Sequence, residues 1–170
     1  DDLEVEMGKE LELSAAVGPL LWNSDGINSA FVDACDYIYL MAFDSGGGSC
    51  VEDKTNHSSL LIAQRALDKW TDQGLGGFTC GGNSAAKNVD PSKIVLSIPF
   101  YSAHPNGKYK DFSKSNRSQY FNDPDGIVGQ WKYNSKPLIE AKAKLIMETY
   151  GGAGIWCWEL PDDSNDEYSL

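Results

Sequence analysis

The sequence predicts an α/β fold in which parallel strands alternate with helices, and three observations carry that prediction. Two stretches, DYIYLMAFD at 36–44 and KIVLSIPFY at 93–101, are apolar at both odd and even positions, as strands covered on both faces are. Segments with helical spacing of apolar residues stand between successive strands. The long glycine-rich or polar connections fall consistently on the strand-to-helix side. Strand, helix, strand, helix, strand, helix, strand describes half of a (β/α)₈ barrel or a small open parallel sheet. A closed barrel needs about 250 residues, and four strands cannot close one.

The first strand is expected over Leu11–Val17, after a helix tail at Leu3–Met7 with its stop at Gly8. Ile27, Ala30, Phe31 and Ala34 keep the spacing of one buried helical face. The second strand, Asp36–Asp44, ends in an acid followed at once by SGGGS, and the carboxyl end of a buried strand is where α/β proteins place ligands. Ser58 is a candidate cap for a helix running to about Gln73, with a stripe of Leu60, Ala63, Leu67 and Trp70 and a stop at Gly74. Leu75–Val89 is glycine-rich but matches no phosphate-binding loop. Lys93–Tyr101 is the third strand, and Ser102–Tyr133 a long polar connection without periodicity, the kind of loop that tends to be functional. A last helix at Pro137–Tyr150 has proline in its first turn and Gly151 past its end. The fourth strand is Gly154–Leu160.

Composition narrows the function. With 41% hydrophobic and 23% charged residues the chain is an ordinary globular domain, and its net charge of −11 argues against nucleic acid or an anionic membrane as partner. A neutral carbohydrate is compatible with that charge. No apolar run approaches the roughly 20 residues of a membrane helix, and no basic-then-apolar leader stands at the start. The four cysteines show no CxxC and no histidine at ligand spacing, so neither a zinc site nor a cofactor is expected. Cys50 and Cys80, in loops, are the expected sites of oxidation, and Cys157 is expected to be a small core residue. Sequons at Asn56 and Asn116 suit a secreted protein.

Three strand motifs resemble family 18 of the glycoside hydrolases, which comprises chitinases, chitinase-like lectins and related N-acetylglucosaminidases. DYIYLMAFD is similar to that family's sixth barrel strand, KIVLSIPFY to its seventh and GIWCWELPDD to its eighth, which leaves LELSAAV as the fifth. The resemblance covers essentially the whole chain. It implies a (β/α)₈ TIM barrel in which residues 1–170 supply about strands 5 to 8, completed by an amino-terminal half. The Ser102–Ser135 span is short for the α+β lobe many members insert there, which implies an open, shallow cleft. The family's acid motif, Asp-x-x-Asp-x-Asp-x-Glu, is absent; Asp2-Leu3-Glu4-Val5-Glu6 is its nearest imitation. No catalytic acid is therefore identified in this chain.

What the resemblance implies for the remaining residues is a sugar site. In family 18 chemistry the acetamido carbonyl of the sugar attacks the anomeric carbon, so groups are needed to hold the acetamide. Met41 and Asp44 would line that site, and Trp158 would form its apolar floor, with Trp156 as rival. An aromatic plate suits the apolar C–H face of a pyranose. Tyr101 is a candidate to touch sugar or acid. Phe43 stands where the family has a tyrosine whose hydroxyl donates to the acetamido oxygen; its loss implies a rate cost of about 10²-fold or more. Ser97 replaces the usual glycine of the seventh strand.

The reading that follows is a chitinase-like hydrolase acting on β-1,4-linked N-acetylglucosamine polymers, its partner being chitin or an N-acetylglucosamine oligosaccharide. A non-hydrolytic lectin of the same fold is the alternative that Phe43 and the absent acid motivate. A hydrolase acting on peptidoglycan or an N-linked glycan core is a third, and an open flavodoxin-like sheet a fourth.

Overall fold

The computed structural model describes residues 11–19, 27–44, 56–71, 88–104, 109–112 and 117–170. The helix tail and stop expected at residues 3–8, the stop at Gly74, the cysteines Cys50 and Cys80 and the sequon at Asn116 lie outside the described residues. The chain is α/β. Four parallel strands, β1 (Ser14–Val17), β2 (Tyr37–Met41), β3 (Ile94–Pro99) and β8 (Gly154–Trp158), form one sheet in that spatial order. All four are shorter than the sequence suggests. β2 stops at Met41 rather than Asp44, and Tyr101 is not part of β3.

Register decides what each face carries. Met41 pairs with Ser97 and Ser97 with Trp156, while Pro99 pairs with Trp158. Neighbours in register share a face, so Tyr39, Met41, Ser97, Pro99, Trp156 and Trp158 look the same way. Ile38, Leu40, Ile94 and Leu96 look the other way and are fully buried. They pack in one cluster with Ala63, Ala66, Leu67 and Trp70 of α2 (Leu60–Thr71) and with Ile146 and Tyr150. Each of these large aliphatics contributes roughly 1.5–3 kcal/mol by leaving water.

Two helices differ from expectation in detail. In α1 (Ser29–Ala34), capped by the Asn28 side chain, the buried residue is Val32, whereas Phe31 is exposed. A helix of one and a half turns seats a single position and Cys35 just beyond it, not a four-residue stripe. In α2 the Ser59 hydroxyl, not that of Ser58, accepts the capping bond from the Ile62 N–H, and Leu60 lies outside the buried stripe. The last helix, α4 (Lys136–Lys144), has proline in its first turn as expected and continues through a π-helical turn, Leu145–Tyr150. It ends at Gly151 with φ of 74°, a left-handed position suited to glycine.

The long polar connection expected at Ser102–Tyr133 carries short strands among its described residues. β4 (Tyr101–Ala103), β5 (Tyr109–Asp111), β6 (Ile127–Val128) and β7 (Trp131–Lys132) form a small antiparallel sheet in the order β5-β4-β7-β6. With one turn of helix, α3 (Arg117–Tyr120), it encloses its own core of Phe112, Tyr120 and Tyr133. Strands of two or three residues are too short to show periodicity, so the sequence concealed a compact α+β element.

The expectation of strands covered on both faces holds for β3, buried at every position but Val95, and is corrected for β2. Tyr37, Tyr39 and Met41 are only half-buried, and Trp158 is 47% exposed. Leu13 and Leu160, flanking the two edge strands, are exposed as well. Cys157, on edge strand β8, is half-buried rather than a core residue. One face of the sheet is thus only partly covered among the described residues, and the edge strands β1 and β8 each pair on one side only. No helix among them is long and apolar enough to cross a membrane.

Unpaired strand edges beside exposed apolar side chains are templates for association. The 170-residue chain expressed alone is expected to self-associate or to lack a single cooperative transition, as read by light scattering and thermal melting. A monodisperse, cooperatively unfolding monomer would contradict this.

Candidate functional site

The site grows from the way β2 ends. The Ala42 N–H donates to Leu40 O (2.9 Å) and the Phe43 N–H to Met41 O (2.8 Å), two tight turns that destroy the two-residue alternation. Asp44 then takes φ of 54°, a left-handed conformation uncommon for a residue with a side chain and often tied to function. Its carboxylate is gripped from both sides. The Tyr101 hydroxyl donates to Oδ2 at 2.7 Å, and His57 Nδ1 lies 3.1 Å from Oδ1.

The electrostatics agree with that geometry. Burial raises the Asp44 carboxyl, but the hydrogen bonds from His57 and Tyr101 outweigh it and hold the group below its ordinary value. Burial, then the bond to Asp44 and its charge, push the Tyr101 phenol far above its usual range, so it stays a neutral donor. An ionised carboxylate only accepts, so Nδ1 of His57 carries the proton in this contact. The imidazole stacks on the Tyr101 ring at 5.2 Å, and Tyr109 stands edge-on to Tyr101 at 5.4 Å. Phe43 is buried with its ring edge-on to Tyr101 at 6.2 Å.

Behind this cluster lies a buried lysine. Lys142 of α4 donates from Nζ to the Ser58 carbonyl at 2.7 Å, to Ser58 Oγ at 2.8 Å and to Asn134 Oδ1. The Ser58 hydroxyl reaches Ala42 O (3.4 Å), and the Asn134 amide donates to Pro99 O (3.1 Å). The ends of β2 and β3, the turn before α2 and helix α4 are therefore tied at one point. Three acceptors use every N–H of an ammonium, while burial pushes the amine down to about 7.

A second group of aromatics lies on the open face of the sheet. Tyr39 and Trp156 have ring centroids 5.2 Å apart, Trp156 and Trp158 5.7 Å. The Trp158 carbonyl accepts from the Phe100 N–H at 2.8 Å, which seats the tryptophan beside the residue preceding Tyr101. Ser97 is buried on this face, and its hydroxyl has no hydrogen-bond partner among the described residues. The sequence-derived candidates thus fall into two sets. Phe43, Asp44 and Tyr101 meet at the strand ends, whereas Met41, Trp156 and Trp158 share the sheet face. His57, Tyr109 and Lys142 were not legible as site residues; His57 is one of two histidines in the chain, and its place between a glycine loop and a helix was the available signal. Among the described residues no group of His, Cys, Asp and Glu could hold a metal ion.

Chemically, the arrangement offers an ionised acceptor fixed at the carboxyl edge of a parallel sheet, and an exposed indole on the sheet face. The family model for glycosyl hydrolases family 18 matches residues 1–163. Among solved structures, the chain is similar to the family 18 chitinase ChiB from the chitin utilization locus of Flavobacterium johnsoniae, with 30% identity and a TM-score of 0.71, over 99% of this chain and 50% of that one. It also shares the fold of a family 18 N-acetylglucosaminidase from Paenibacillus barengoltzii (20% identity, TM-score 0.63, 96% of this chain and 56% of that one). The same holds for a chitinase-like agglutinin from Robinia pseudoacacia (19% identity, TM-score 0.65, 96% and 55%). The chain spans about half the length of these structures. No match was found among curated proteins.

Two outcomes follow from the geometry. Tyr101→Phe removes one donor and raises the pH at which Asp44 protonates. The stability Asp44 contributes is complete above its ordinary 3.8 and is lost as pH falls through its lowered folded value, so this variant loses stability at higher pH than wild type in acid melts. Lys142 binds fewer protons folded than unfolded between about 7 and 10.5, so stability rises with pH across that window. Lys142→Met, which strands buried acceptors at about 1–3 kcal/mol, abolishes this slope in melting temperature against pH.

Proposed function

Because the chain belongs to glycoside hydrolase family 18, a family of TIM barrels, we propose that it supplies the carboxyl-terminal half of a (β/α)₈ barrel, about strands 5 to 8. The barrel acts on β-1,4-linked N-acetylglucosamine polymers by a retaining, substrate-assisted route. The observation that carries this reading is the Asp44 carboxylate, held between Tyr101 and His57 at the strand ends. An acceptor fixed there receives the acetamido N–H of the reactive sugar. Taking that bond pushes electron density onto the amide oxygen, which becomes the nucleophile toward the anomeric carbon. Trp158 supplies the apolar floor, being exposed on the open face, and Met41 lines the wall on the same face, in register with Ser97 and Trp156. The proton for the leaving group comes from a carboxylic acid outside the motifs of this sequence. The uncovered sheet edges suit an amino-terminal half that completes the barrel.

A second reading, a chitin-binding lectin of the same fold, is favoured by Phe43, which has no hydroxyl to donate to the acetamido oxygen.

The full-length protein is expected to release fluorophore from a chitotriose carrying a fluorescent leaving group. Retained chitin binding without release would favour the lectin, and absence of both would overturn both readings. In the hydrolase, Phe43→Tyr restores the missing donor and is expected to raise kcat by roughly 10²-fold; an unchanged kcat would remove Phe43 from the mechanism.

A further inference from the structure

Asp44 can serve an acetamide only if its plane is fixed before the sugar arrives. A carboxylate at the end of a strand turns freely about its terminal bond unless both oxygens are held, and here each has a donor from a different element. Tyr101 comes from the small antiparallel sheet, which belongs to the site already described. His57 comes from the turn before α2 and has no part in the reaction as derived above. Its ring is 5% exposed and cannot swing away, being stacked on Tyr101 and edge-on to Tyr109 at 6.3 Å. The turn itself is held by Lys142 through the carbonyl and hydroxyl of Ser58, the very next residue.

We propose that His57 is a positioning residue: its Nδ1–H locks the Asp44 carboxylate in the plane that meets the acetamido group, and Lys142 fixes the turn from which it acts. This deepens the functional reading above and rests on it for the identity of the ligand. An ionised carboxylate offers about four acceptor positions, of which His57 and Tyr101 occupy two. The lone pairs left over remain on the exposed side, since nearly half of the Asp44 side chain is open to solvent. A hydrogen bond to a charged group contributes more than a neutral one, so losing it frees the carboxylate to rotate and to protonate more readily. The sugar is then bound less well, while the proton-transfer machinery is untouched.

The test uses the full-length protein with His57→Asn and His57→Gln. The asparagine amide sits where Nδ1 does and keeps the donor; the glutamine amide sits nearer Nε2 and misplaces it. His57→Gln is expected to weaken tetra-N-acetylchitotetraose binding by about tenfold, to raise KM more than it lowers kcat, and to raise the pH at which the Asp44 carboxyl carbon titrates by NMR. His57→Asn is expected to stay near wild type in all three. Equal Asp44 titrations in wild type, His57→Asn and His57→Gln would overturn the role of His57. A wild-type protein that does not bind the tetrasaccharide would instead overturn the functional reading, while the Asp44 titration still decides whether His57 holds the carboxylate. Lys142→Met gives an independent check, with the same upward shift of the Asp44 titration expected and an unchanged one contradicting the anchoring of the turn.

Discussion

One buried amine holds the working end of this molecule together. Strand ends in a parallel sheet have no ladder beyond them, so their carbonyls must find other partners or water. Here the carbonyl of Ala42 is met by the Ser58 hydroxyl and that of Pro99 by the Asn134 amide, and Ser58 and Asn134 both converge on Lys142. A lysine whose hydrogen-bond partners here are a carbonyl, a hydroxyl and an amide rather than a carboxylate is costly to bury. Its compensation is geometric, since one nitrogen sets the spacing of β2, β3, α4 and the turn before α2. Everything that grips Asp44 is within a residue or two of that knot.

From that fixed frame the site follows by short steps. β2 ends in two tight turns, which deliver Asp44 in a left-handed conformation with its carboxylate toward β4 rather than along the sheet face. Tyr101 begins β4 immediately after Phe100, whose N–H is bonded to Trp158, so the phenol and the indole are placed by adjacent residues. The small antiparallel sheet then brings Tyr109 beside Tyr101. The acidic acceptor is therefore positioned by the turns that end β2, and the aromatic plate by a backbone bond from the residue after β3 to β8.

The parts legible in the sequence were those with long-range regularity. The four parallel strands and the helices α2 and α4 could be read because apolar runs persist over many positions and cap residues such as Pro137 and Gly151 bound them. Asp44 and Tyr101 could be singled out as candidates because they end such runs, and Trp158 because of the Trp-Glu-Leu ending that the family resemblance supplies. The antiparallel sheet was hidden because two-residue strands such as Ile127–Val128 carry no period. The stripe Ile27, Ala30, Phe31, Ala34 failed because six residues of α1 bury only Val32. The open face of the sheet was unreadable for a different reason. Tyr39 and Trp156 are as apolar as buried residues, and what covers a strand is a property of the other strands around it. Lys142 and His57 are single residues whose meaning depends on partners 84 and 13 positions away, a relation no local pattern encodes.

The claim at the centre is that the carboxylate held at the end of β2 recognises an acetamide. Calorimetry of the full-length protein with tetra-N-acetylchitotetraose and with cellotetraose, which has the same backbone linkage and no acetamido groups, tests it most directly. Binding of the first, its loss on Asp44→Ala, and no measurable binding of the second are expected. Equal affinity for the two sugars, or binding indifferent to Asp44→Ala, would contradict it.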